Sequence, residues 1–243
     1  MYVIGKGSKK DNLELRMSLR SIDKYGTNVG RVIVVGAPPS WLSKEVEQLQ
    51  VADKYPYKHS NILNCIEAVV DEKLVKGDFL YSSDDHFYVK NTDFEKYPYY
   101  IKGDLRKAVD PNDFFYKYHK SLVDTRELCI RHGLPTKNYS QHCNTHMHTG
   151  VIEDISEILQ ESFLLPYGVE PTSIIMNAWQ LRPDAPKTEH REDIKITKAY
   201  TVDGIKREIG ERECFSIGDN VFKTGEIMQF FNWEYGGKSK YEQ

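Results

Sequence analysis

The chain has 243 residues, 40% of them hydrophobic and 28% charged, with a formal net charge of -3. That length suits one large domain with a core of useful size. The small negative charge excludes a global basic field for nucleic acid or an anionic membrane, although it leaves room for a local basic groove.

Tyr2 to Gly5 (YVIG) is short, apolar and β-branched, which predicts a buried strand followed by a loop carrying Lys6, Gly7 and Ser8. Asp11 is placed to cap the next helix, with Glu14 three residues on in a capping-box arrangement. Leu15, Leu19 and Ile22 recur at helical spacing, and Gly26 ends the run. Arg31 to Gly36 (RVIVVG) predicts a second buried strand and Leu49 to Asp53 (LQVAD) a third, shorter one. Ser60 is expected to cap a helix with Leu63, Ile66 and Val70 as its apolar stripe. Asp78 to Ser82 (DFLYS) predicts a fourth strand that runs directly into SDDHFYV.

This alternation predicts an α/β fold, a mostly parallel sheet flanked by helices. Ligands in such sheets bind beyond the carboxyl ends of the strands, where the loops over Lys6 to Ser8 and Ser83 to His86 fall. Residues 91–143 are polar, aromatic and helix-leaning, and read as a helical insertion or lid within a single domain over 1–243. An amphipathic helix is expected from Val151, and a charged loop with an edge strand or two over 183–213. A late strand is expected in ECFSIGDN and a closing helix in TGEIMQFFNWEY.

Cys65, Cys129, Cys143 and Cys214 include no C-x-x-C pair, and read as free thiols of a reducing compartment. No apolar leader or membrane-length run is seen, so a cytoplasmic location is expected.

The strongest chemical signal is an apolar strand delivering adjacent carboxylates, Asp84 and Asp85. Two carboxylates together repel, and Mg²⁺ or Mn²⁺ relieves that repulsion while binding phosphate oxygens of a nucleotide diphosphate. The plain alternative is a turn, where Asp is favoured. Glu67, in an apolar helix, reads as a general base or as a solvent-facing helix residue. His142, His146 and His148 lack helical zinc spacing; His146 reads as an acid/base or phosphate ligand, against incidental histidines in a polar loop. Asp219 follows the late strand, and GGKSKYEQ offers a phosphate-wrapping turn or a frayed end.

In order, NLELRMSLRSIDKYG, RVIVVGAPPSWLS, HSNILNCIEAVV and FLYSSDDHFYV resemble the second conserved region of the Stealth-type sugar-phosphate transferases. THMHTGVIEDISEIL is similar to that family's third region and CFSIGDN with FFNWEYGGKSKYE to its fourth. The resemblance implies a GT-A-like fold and a nucleotide-sugar donor, UDP-linked by expectation, on Mg²⁺ or Mn²⁺. It implies metal roles for Asp84 and Asp85 and catalytic roles for Glu67, His146 and Asp219. Lys6, Gly7, Ser8, Arg16, Arg20 and Ser83 would line the donor site. The family's opening TWVDG-like motif is here YVIGKGS, without its Asp; Ser83 replaces the Asn before the acidic pair, His148 stands where a Pro is expected, and the third-region Arg has no match beyond Arg182. These departures favour transfer of a sugar over transfer of a sugar phosphate. The acceptor would be a polysaccharide, a small glycoside or a hydroxymethylated DNA base, with residues 100–140 as a basic wall. A non-catalytic sugar- or nucleic-acid-binding module is the rival class, and a metal-independent hydrolase using the histidines a third.

Overall fold

In chain order the strands that build the two sheets around the site are β1 (Tyr2–Ile4), β2 (Val32–Gly36), β3 (Val46–Gln50), β4 (Asp78–Tyr81), β5 (His86–Tyr88), β6 (Thr145–His148), β7 (Lys195–Ile196) and β8 (Cys214–Ile217). The helices are α1 (Leu13–Tyr25), α2 (Lys58–Asp71), α3 (Tyr116–Arg131), α4 (Thr149–Asp154), α5 (Ser156–Ser162), α6 (Pro171–Trp179), α7 (Val202–Ile209) and α8 (Gly225–Glu234). This computed structural model describes residues 1–5, 10–198, 200–222 and 224–243.

The fold is α/β. β1 pairs in parallel with β2, and β2 in parallel with β3. β4 lies on the other side of β1, where Tyr2 bridges Ser82 in parallel and the Ser82 amide donates to the Met1 carbonyl at 2.8 Å. β6 runs antiparallel to β4, with Thr145 opposite Tyr81 and His148 opposite Asp78. The spatial order is therefore β3-β2-β1-β4-β6. The chain winds outward from β1 to β3 and then returns to the far side of β1, so the strand order reverses between β1 and β4. That gap is the topological switch point of the sheet.

β2 is apolar throughout because both of its faces are covered. Val32 and Val34 pack with Tyr2, Ile4, Leu15, Leu19 and Ile22 on the α1 side. Ile33 and Val35 pack with Cys65 and Val69 of α2 on the other. Each such side chain contributes about 1.5–3 kcal/mol by burial. A smaller sheet sets β8 between β5, antiparallel, and β7, parallel, and its aromatic core buries Phe87, Phe215, Phe230 and Phe231 against Ile205 and Ile209.

Several local expectations are corrected. Asp11 does not cap α1: Asn12 is the N-cap residue, both have left-handed backbones (φ 55 and 53), and no side-chain cap bond forms. Asp11 instead accepts from Arg16 Nη2 at 3.1 Å. α2 begins after Tyr57, so Ser60 lies inside it. β3 ends at Gln50, leaving Val51 to Asp53 outside the strand. The helix expected from Val151 is two, α4 and α5, broken at Ile155. α6 is additional; every residue in it is buried, so it shows no amphipathic period. α7, inside the charged stretch, is also additional. Within 91–143, α3 buries Leu122 and Leu128 in the same core as Met147 and Ile174. All four cysteines are buried free thiols. Among the described residues no helix is long and apolar enough to cross a membrane.

Gly36 closes β2 at the switch-point edge with φ +110, and a Cβ there would stand 2.1 Å from the Ile4 carbonyl oxygen. Gly36→Ala is expected to cost at least about 2 kcal/mol through backbone strain and forced separation of β1 from β2. Equilibrium urea unfolding reads this directly; an unshifted midpoint would contradict so close an approach.

Candidate active site at the carboxyl edge of the sheet

Three chain segments deliver carboxylates to one edge. Asp84 and Asp85 follow β4, Glu14 stands in the first turn of α1 after β1, and Asp219 follows β8. Their fields overlap. The Glu14 carboxyl is pushed up to about 7, first by burial and then by Asp84, Asp85 and Asp219, with Lys195 opposing. Asp84 is pushed up to about 6 by burial and by Asp85, with Lys58 opposing and Asp219 adding to the rise. Like charges packed this closely favour the neutral acid unless a cation arrives.

Asp85 behaves differently. Ser216 donates to its Oδ2 at 2.7 Å and Lys195 Nζ to the same oxygen at 3.3 Å. His86 Nε2 lies 3.9 Å from Oδ1. Burial would raise Asp85, but these neighbours outweigh it and hold the group well below the usual carboxylate range. Burial also pushes His86 itself down to about 4. His86 is therefore neutral at pH 7, and Lys195 is the charge that balances Asp85.

Among the described residues no three His, Cys, Asp or Glu side chains form a ready-made metal cage. The donors at this edge are carboxylate oxygens. That set fits hydrated Mg²⁺ or Mn²⁺, which uses one or two carboxylates and fills its remaining positions with water and phosphate.

His146 is not at this edge. β6 sets it opposite Leu80, and its ring turns back along β4, so that its Nδ1 lies 3.2 Å from both Asp78 carboxylate oxygens and its Nε2 2.7 Å from the Tyr97 carbonyl oxygen. Tyr99 stacks on its ring at 3.7 Å and donates to Asp78 Oδ2 at 2.5 Å. Asp78 opens β4 and Asp84 follows its end, which places roughly 10 Å of strand between them. Both imidazole nitrogens are engaged, so His146 holds the fold together. His146→Ala is expected to lose about 2 kcal/mol of stability with donor turnover unchanged within about twofold. A turnover collapse in the folded variant would restore a catalytic role. His148 is also occupied, accepting from the Gly150 amide at 3.1 Å. The residues before Thr145 continue past the end of β4, so His142 is the histidine on the acidic side. It pairs with Asp193 through Nδ1 at 2.7 Å.

The other expected residues divide similarly. Glu67 lies along α2 and accepts from Gln160 Nε2 at 3.2 Å. The helix start at Lys58 is nine residues away, about 13 Å at the α-helical rise. The structure does not bring Glu67 to the acidic pair. Arg16 and Arg20 both bind Glu242, at 2.8 Å and 2.7 Å, and Arg16 also covers the Trp41 ring at 4.2 Å. The Ser83 hydroxyl is taken by Tyr81. Asp219 is exposed in the turn after β8. Lys6, Gly7 and Ser8 lie outside the described residues.

Sequence reasoning missed Glu14 as a site group, along with Lys58, Lys195 and Ser216, and took up His142 only as one of three clustered histidines. Glu14 is legible only as a cap partner, and Lys195 only as part of a charged loop over 183–213 with an edge strand or two.

Aromatic rings flank the same edge. Tyr57 meets Tyr167 at 5.4 Å and Tyr167 meets Tyr116 at 5.9 Å. His59, beside Lys58, meets Tyr118 at 5.9 Å. The series leads to Phe115 and to Phe114, which is 91% exposed.

A cleft of about 440 Å³ opens elsewhere, at the amino edge, lined in part by Arg31, Asp78, Asn144 and His146. Asp78 and Arg31 there are already paired, with His146 and Glu47. The carboxyl edge, with its mutually repelling acids, is the better candidate for chemistry.

No protein-family model matches the sequence, and no curated protein matches it.

Proposed function

We propose that the protein is a metal-dependent transferase that takes a nucleotide-sugar donor and moves the sugar to an acceptor hydroxyl, on a GT-A-like fold. One observation carries the reading: at the β1/β4 switch point the charges of Asp84, Asp85 and Asp219 act together on Glu14. Open α/β sheets bind their ligands at this position. The strand order β3-β2-β1-β4-β6, with an antiparallel strand beyond β4, supports the GT-A-like form.

In this reading the metal locus lies at the acidic pair, on Asp84, the carboxylate with room to bind. Mg²⁺ or Mn²⁺ supplies neutralisation of the charge that develops on the leaving diphosphate. Glu14 accepts the acceptor proton, since a carboxylate with a pKa of about 7 is matched to neutral pH. It takes the role expected of Glu67 or His146. Asp219 orients the acceptor from the rim or shares the metal. The half-buried rings from Tyr57 to Tyr118, ending in the exposed Phe114 and Phe115, offer a stacking surface to a polysaccharide, a small glycoside or a hydroxymethylated base.

The test is incubation with a panel of nucleotide sugars and Mn²⁺, with Asp84→Asn as control. Release of nucleoside diphosphate that vanishes in the variant supports sugar transfer; release of nucleoside monophosphate marks Stealth-type sugar-1-phosphate transfer instead. No release, with no nucleotide-induced thermal shift, leaves a binding module that does not use this edge.

A further inference from the structure

We infer that Lys195 is the cation that receives the donor's diphosphate, and that Asp85 positions Lys195 and is not itself a metal ligand. The inference rests on the nucleotide-sugar reading above.

The small sheet supplies the geometry. Lys195 of β7 stands opposite Ser216 of β8, and Ser216 stands opposite His86 of β5. Directly opposed residues in a sheet project to the same face. Lys195, Ser216 and His86 therefore form one row across three strands. Asp85, immediately before β5, turns its carboxylate onto that row. Ser216 and Lys195 share its Oδ2, while Oδ1 faces His86. A metal on Asp85 would have to displace Lys195, whereas Asp84 makes no such commitment among the described residues.

Lys195 is held yet reachable. Its neighbours Ile194 and Ile196 are buried at 8% and 1% exposure and anchor the strand. The Lys195 side chain keeps 33% exposure and faces the edge shared by Glu14 and Asp84. An ammonium has three donor hydrogens, and Asp85 takes one. The others are available to a ligand. A diphosphate approaching this edge meets Glu14, Asp84 and Asp219, all acidic. It needs a fixed cation besides the metal, and a lysine pinned by Asp85 delivers that charge without first losing side-chain freedom.

The probes are UDP and uridine, with affinity measured by calorimetry in EDTA and in Mn²⁺. Lys195→Met is expected to weaken UDP about tenfold in EDTA, the loss of one charge-assisted contact, and to leave uridine unchanged. Lys195→Arg recovers part of the loss. Asp85→Asn is expected to keep Mn²⁺ binding, read by electron paramagnetic resonance, while weakening UDP severalfold; Asp84→Asn loses the ion. Thermal melts confirm that each variant folds. If Lys195→Met binds UDP as wild type does, or if Asp85→Asn loses Mn²⁺, the inference is overturned while the nucleotide-sugar reading stands. If the wild type binds no UDP under either condition, both fall.

Discussion

Asp84→Asn is expected to remove the metal-supported part of donor turnover, a drop of about 100-fold or more, and yet to raise the melting temperature of the metal-free protein. The two effects share one cause. Asp84 sits where burial and Asp85 disfavour its charge, so its carboxyl is pushed up to about 6, and Glu14 beside it to about 7. Both folded-state values lie above the ordinary carboxylate range near 4. The stability these groups contribute is fully present below that range and is lost as pH rises through about 6 and 7. Metal-free protein should therefore melt at falling temperatures between about pH 4 and pH 7. A divalent cation should restore the loss, with a larger shift at the upper end, because it binds the deprotonated pair. Differential scanning fluorimetry across this window, with Mn²⁺ and with EDTA, reads the whole pattern. In Asp84→Asn the pH slope should flatten and the Mn²⁺ shift disappear. A variant that melts like wild type at every pH, and still responds to Mn²⁺, would remove Asp84 from the metal locus and take the mechanism with it.

The second large effect concerns stability. Glu242→Gln is expected to cost about 3–5 kcal/mol, the usual consequence of removing one member of a buried ion cluster, with nucleotide affinity unchanged within about twofold. The Glu242 side chain is fully buried and binds Arg16 at 2.8 Å and Arg20 at 2.7 Å; the Ser239 amide also donates to it at 3.0 Å. Burial would raise its pKa, but the Arg20 bond, the Ser239 amide and Arg16 hold it at about 2. Its contribution is therefore present above the ordinary glutamate value and is lost as pH falls toward 2. Urea unfolding at neutral pH measures the cost, and an acid titration of the wild type checks the sign. If Glu242→Gln instead keeps its stability and weakens nucleotide binding, the two arginines belong to the donor site, as the sequence resemblance implies.

These variants separate what is local from what is assembled. β2 is readable because a strand covered on both faces must be apolar from end to end, β1 and β4 because their short apolar runs stand between turn residues, and Leu63, Ile66 and Val70 because α2 has one buried stripe. The N-terminus of α1 misleads because Asp11 and Asn12 take left-handed backbones, and Asp11 gives its carboxylate to Arg16. α6 is invisible to periodicity because it has no solvent face.

The same division runs through the site. That two adjacent carboxylates end an apolar strand follows from the order of residues alone, and so does their need for a counter-charge. Which charge each one meets does not. Asp84 and Asp85 are neighbours in sequence, yet Asp84 faces Glu14 and Asp219 while Asp85 faces Lys195. Those partners come from α1, β7 and the turn after β8, brought together by strand order and register across two sheets. His146 shows the converse: its residue type suits catalysis, but β6 sets it opposite Leu80 with its ring turned back onto Asp78, away from the acidic pair. A chain specifies its apolar runs and charges position by position. Electrostatic partnership depends on distances through space, which arise only when the strands have paired.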